Sequence, residues 1–104
     1  MDALKLLRQR RSEIATICRR YSVRRLSLFG SAARGTFDPE RSDFDFLVDF
    51  DPPIGMNRFG QYFGLLDDLR QALGRNVDLI DRRAQRNERM RASAESEAVD
   101  LYAA

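Results

Sequence analysis

The chain has 104 residues, 43% of them hydrophobic and 33% charged, with 18 basic against 16 acidic side chains and a formal charge of +2. That is the size and composition of one compact domain, so a single domain over residues 1–104 is expected, and a disordered or fibrous chain is excluded. No apolar run approaches the roughly 20 residues that span a bilayer. The start MDALKLLRQRRSE has no apolar signal core, so no membrane association and a cytoplasmic location are expected.

Residues 3–20 read as one amphipathic helix, with Leu4, Leu7, Ile14 and Ile17 at helical spacing and Arg and Gln between them. Cys18, the single cysteine, falls beside Ile14 and Ile17 and reads as a buried apolar filler. Residues 23–29 form a short strand with Leu26 and Leu28 on one face, stopping at Gly30-Ser31. A helical turn follows, with Ser31 as its N-cap and Gly35 ending it. Residues 36–42 (TFDPERS) are a turn-rich loop. Residues 43–50 (DFDFLVDF) form the clearest strand, Phe44, Phe46 and Val48 alternating with Asp43, Asp45 and Leu47, until Asp51-Pro52-Pro53 breaks it. Residues 58–73 make a second helix, with Phe59, Phe63, Leu66, Leu69 and Leu73 as its inner face and Gly74 as its C-cap. Residues 76–81 (NVDLID) are a third strand, Val77 and Leu79 facing one way and Asp78 the other. The tail from about 83 to 102 reads as a helix. The order predicts an α+β fold: a small mixed sheet with helices packed on one face and acids on the other.

The chain has no histidine, which excludes His-based triads, imidazole zinc ligands and His general bases. Seventeen of the 18 basic residues are arginine, a bias that a source genome can impose by itself. The acids are less evenly spread: Asp38, Glu40, Asp43, Asp45, Asp49 and Asp51 fall within fourteen residues. Asp43 and Asp45, two apart on a strand, point to one side, where each raises the other's pKa unless a cation sits between them. Asp78 can join them if its strand lies alongside. Three oxygen donors of this kind suit Mg²⁺, and two such ions about 4 Å apart serve in-line phosphoryl chemistry. Gly30-Ser31, between a strand and a helical turn, offers backbone N–H groups and a hydroxyl to an anion. Arg34 either steers phosphates or pairs with an acid of the cluster, or is a structural arginine that fixes the turn. Asp49 and Asp51, at the far end of the strand, read as solvated or paired with arginine. Singly, a D-x-D is more often a solvated strand face and a Gly-Ser only a turn. The combination is specific: LFGSAARG, then eleven intervening residues between Ser31 and Asp43, then DFDFLV, then an acid inside an apolar strand.

That combination resembles the nucleotidyltransferase signature of the DNA polymerase beta superfamily, and GSAARGTFDPERSDFDFLVDF is similar to its minimal nucleotidyltransferase branch in particular. VDLI around Asp78 and the closing EAVDLY extend the likeness over nearly the whole chain. Many members have Arg directly after Gly-Ser, where this chain has Ala32, and the TFDPERS loop is one residue longer than common. The resemblance implies a palm-like fold and Mg²⁺-dependent transfer of a nucleoside monophosphate from a triphosphate such as ATP. It implies that Asp43 and Asp45 hold two Mg²⁺, that Asp78 completes the site of the ion activating the attacking hydroxyl, and that Gly30 and Ser31, with Arg34 nearby, bind the nucleotide. Members of the branch act as antitoxins beside a helical HEPN toxin, adding AMP to one of its tyrosines, so a HEPN-type protein is the expected partner. The partner's contact surface is expected at the Arg-rich tail (Arg82, Arg83, Arg86, Arg89, Arg91) and the apolar residues around Pro52–Phe59. Two rival readings stand beside the enzyme. One is an interaction module that neutralises a partner by binding alone. The other, a nucleic-acid binder using the arginines, is disfavoured by the acidic face and the lack of an aromatic–basic stripe.

Overall fold

A computed structural model describes residues 3–36, 38, 43–84 and 87–104, excepting the side chains of 90 and 91. The turn-rich loop 36–42 therefore lies mostly outside the described residues, as do Arg86 and the side chain of Arg91. The helix expected over 3–20 is interrupted at Arg10, giving α1 (Ala3–Gln9) and α2 (Arg11–Arg20). Arg10 has φ −96° and ψ 10°, short of helical geometry in ψ. The ladder still runs through it, from Arg10 N to Leu6 O at 3.1 Å and from Ile14 N to Arg10 O at 2.9 Å. Leu7, Ile14, Ile17 and Cys18 are buried as the spacing predicts. Burial pushes the Cys18 thiol up to about 12, opposed by the charge of Arg19, so it stays a protonated apolar filler.

Four strands form one sheet in the order β3-β2-β1-β4: β1 (Val23–Phe29), β2 (Phe44–Phe50), β3 (Val77–Asp81) and β4 (Val99–Ala103). β1 runs antiparallel to both its neighbours, and β2 runs parallel to β3, so the sheet is mixed as expected. A parallel pair needs a crossover, and α4 (Arg58–Leu73) supplies it. Phe44, Phe46 and Val48 of β2, with Leu26 and Leu28 of β1 and Val77 and Leu79 of β3, form the sheet's side of the core. Ile14, Ile17 and Cys18 of α2 and Leu65, Leu69 and Leu73 of α4 close it. Along β2 the alternate set, Asp45, Leu47 and Asp49, faces the other way.

Two expectations are corrected. The tail is helical only as α5 (Glu88–Glu97), and Val99–Ala103 instead becomes an edge strand on β1, with Leu28 opposite Val99 and Arg25 opposite Ala103. The five residues VDLYA are too few for periodicity to separate from a continuing helix. What decides is the edge of β1, whose N–H and C=O groups need partners. The inner face of α4 also differs. Its buried residues are Gln61, Leu65, Leu66, Leu69 and Leu73, whereas Phe59 is 71% and Phe63 45% exposed. Gln61 is buried on this helix because its Nε2 donates to the carbonyls of Tyr21 and Asp51, both at 2.9 Å, where an aromatic ring would leave both without that donor. Gly74 ends α4 in the left-handed region, φ 64°, as expected.

α5 adds cover on the sheet's second face. Arg82 donates to Asp49 at 2.7 Å and lies 3.2 Å from Glu95 of α5. Leu47 and Ala94 are buried outside the main cluster. The cover leaves Asp43 and Asp78 exposed and Asp45 half-buried. Among the described residues no helix is long and apolar enough to cross a membrane.

Candidate active site

β1 ends where the antiparallel β2 begins, with Phe29 opposite Asp45. The chain then turns from Phe29 directly into the short helix α3 (Gly30–Arg34). Phe29, not Ser31, occupies the N-cap position, and no side chain caps the helix. Gly30, with a φ of 74°, bends the strand straight into the helix, a conformation other residues rarely adopt, and among the described residues the first N–H groups of α3 receive no side-chain acceptor. The same glycine lies against the acid: a Cβ there would come within 2.3 Å of Asp45 Oδ2. Gly30 thus serves the turn and the close approach to the carboxylate at once. Ser31 follows it, half-buried, and Ala32 points into the core at 2% exposure. Gly35, φ 79°, ends α3 as expected.

Parallel pairing of β2 with β3 sets Asp45 directly beside Asp78. Asp43 precedes β2 by one residue. The Asp45 carboxyl is held above the ordinary carboxylate range, first by burial, then by the charges of Asp78 and Asp43, against a lowering pull from Arg34. The three sequence-predicted acids therefore share one electrostatic neighbourhood. Among the described residues they do not form a ready-made group of three at metal-holding distance. Arg34 is turned toward α5, where its Nη1 donates to Glu97 Oε2 at 2.8 Å. Asp49 pairs with Arg82, as the solvated-or-paired reading had it. On the β3 side, the Tyr62 hydroxyl of α4 donates to the Leu79 carbonyl.

Next to Gly30 opens a cleft of about 500 Å³, lined by Phe29, Gly30 and Arg34 on one side and by Asn87, Arg89, Ser93, Ala94 and Glu97 on the other. Sequence reasoning singled out neither Ser93 nor Glu97. The signal that could have found them is their spacing, since residues 89, 93 and 97 are four apart and share a helix face. A second groove, about 310 Å³ between α1, α2 and β4, is lined by Leu4, Leu7 and Leu101 among others and holds none of these acids.

Residues 11–101 match the family model of the nucleotidyltransferase domain. The chain belongs to that family. It is a nucleotidyltransferase of the minimal kind, with the mixed-sheet α+β fold of its structural neighbours. A Methanocaldococcus jannaschii protein, provisionally named a protein adenylyltransferase, is 36% identical over 80 residues, 77% of this chain and 78% of that one. A solved structure of a provisionally assigned minimal nucleotidyltransferase shares 33% identity at a TM-score of 0.76, covering 95% of both chains. A toxin–antitoxin crystal structure with AMP-PNP shares 25% identity at a TM-score of 0.69, covering 90% of this nucleotidyltransferase and 73% of the other chain.

Proposed function

We propose that this nucleotidyltransferase transfers AMP from ATP to a protein hydroxyl, a tyrosine of a HEPN-type helical partner, and so acts as a cytoplasmic antitoxin. The observation that carries the reading is the junction where Gly30 leaves no side chain between the end of β1 and the Asp45–Asp78 pair. The neighbour with AMP-PNP and the relative named for protein adenylylation support the choice of donor and acceptor.

The donor set fits the expected Mg²⁺ ions. Asp43, Asp45 and Asp78 offer only hard oxygens, and Asp45 ionises against burial and two like charges, which a cation would relieve. Held there, Mg²⁺ would supply Lewis acidity toward the acceptor hydroxyl and counter-charge to the phosphates. The acceptor hydroxyl gives up its proton to solvent as its oxygen attacks the α-phosphorus; an O–P bond forms, the bond to the bridging oxygen breaks, and pyrophosphate leaves with that electron pair. The chain's own part is placement. Gly30 keeps the approach to Asp45 clear, Ser31 offers its hydroxyl to the phosphates, and Arg34 lies within reach of their charge. The chain has no histidine to serve as a base.

Exposed Ile54, Phe59 and Phe63, 81%, 71% and 45% accessible, favour a second reading, in which this face docks a partner and neutralises it by binding alone. Intact-mass spectrometry decides between the two. Mixed with ATP, Mg²⁺ and a neighbouring-gene helical partner, the nucleotidyltransferase should add one or more AMP units to that partner, and Asp43→Asn should add none. A partner that is bound and silenced yet gains no mass would leave the binding-only antitoxin.

A further inference from the structure

The cleft beside Gly30 holds two arginines in different circumstances. Arg34 of α3 is engaged by Glu97 of α5 at 2.8 Å, the two side chains being 52% and 32% exposed. Arg89, two helical turns before Glu97, makes no ion pair among the described residues. Arg89, Ser93 and Glu97 share one face of α5 and form the cleft's wall opposite Gly30 and Arg34. Glu97 holds Arg34 through Nη1 alone, and because a guanidinium takes carboxylate and phosphate at the same N–H edges, an entering phosphate and Glu97 contend for Arg34. Without Glu97 the lining carries two positive charges and no negative one.

We propose that Glu97 is a built-in competitor of the nucleotide: it occupies Arg34 when no nucleotide is bound, and the phosphates displace it and come to lie between Arg34 and Arg89. The inference rests on the nucleotidyltransfer reading and deepens it, making α5 the element that sets nucleotide affinity. Glu97 is a positioning residue here, acting through Arg34 and not on the reacting atoms. An exposed pair of this kind is weakly held, so phosphates can break it, and its removal changes affinity by a modest factor.

Calorimetric titration of Mg-ATP into the wild type and into Glu97→Gln, Arg89→Ala, Arg34→Ala and the double variant Arg34→Ala/Glu97→Gln tests it. Glu97→Gln should bind ATP roughly two- to fivefold more tightly, and each arginine variant more weakly. Glu97→Ala should change affinity in the same direction as Glu97→Gln. In the Arg34→Ala background the Glu97 substitution should change nothing, because its only route to the nucleotide is gone. Glu97→Gln binding no tighter than wild type overturns the proposal. So does a gain that persists without Arg34, which would reflect general loss of negative charge. A wild type that binds no ATP overturns the nucleotide reading as well, and is told apart from one that binds ATP and ignores Glu97.

Discussion

At the scale of single residues, two carboxylates of this sheet have opposite fates. Asp45, crowded by Asp78 and Asp43 and partly desolvated, is held above its ordinary range. Asp100 of β4 is held below it, first by the hydrogen bond from Ser27 Oγ at 2.7 Å, then by Arg25, whose Nε donates at 3.0 Å. A lowered carboxylate pKa contributes stability above the unfolded value, and that stability is lost as pH falls through the folded value. Ser27 is fully buried, so its hydroxyl depends on Asp100 as its acceptor. Ser27→Ala should cost about 1 kcal/mol at neutral pH. It should also make the acid limb of the stability curve shallower, because Asp100 then titrates nearer its unfolded value. Urea melts across the acid range read both effects, and a curve parallel to wild type throughout would count against the bond.

At the scale of elements, α4 is fixed by a polar residue in an apolar face. Gln61 ties the turn after α2 to the residue following β2 through two carbonyls. Gly64 lies beneath the Tyr21 ring, where a Cβ would come within 2.4 Å of Cε1, so the helix sits close against that turn. Gln61→Leu keeps the volume but strands both carbonyls, and should destabilise by about 2 kcal/mol or more. Phe59→Ser, on the same helix but 71% exposed, should stay within about 0.5 kcal/mol of wild type. Denaturant midpoints compare the two directly. Equal losses would mean that Phe59 is packed after all.

For the whole molecule, a nucleotide that binds only the folded state must stabilise it. Mg-ATP at 100 times its Kd contributes about 2.7 kcal/mol. In a chain of 104 residues that raises Tm by on the order of 10 °C or more. Asp45→Asn should abolish this shift while leaving the fold intact, since its carboxyl faces away from the Phe44–Phe46 core. A thermal scan without any shift at saturating Mg-ATP would count against the site, whatever the outcome with protein acceptors.

Much of this nucleotidyltransferase was legible from residue order alone. The alternation in DFDFLVDF marks a strand with acids on one side, and the glycine after LF marks the turn out of the first strand, because both are local consequences of a two-residue period and a side-chain-free Cα; that Asp45 lies against Gly30 came only from the pairing of β1 with β2. The order of strands and helices and the string that carries the family resemblance are likewise read along the chain, whereas which strands pair is not. Tertiary structure decided what depends on neighbours distant in sequence. It made 99–103 a strand because β1 had an edge to fill, and gave the inner place on α4 to Gln61 over Phe59 because two distant carbonyls needed a donor. It turned Arg34 toward Glu97, sixty-three residues on, and so built the wall of the cleft from a helix that sequence alone left undivided from its strand. Local patterns are carried by adjacent residues, whereas the partner of an edge, a buried amide or a guanidinium is set only when the chain has closed on itself.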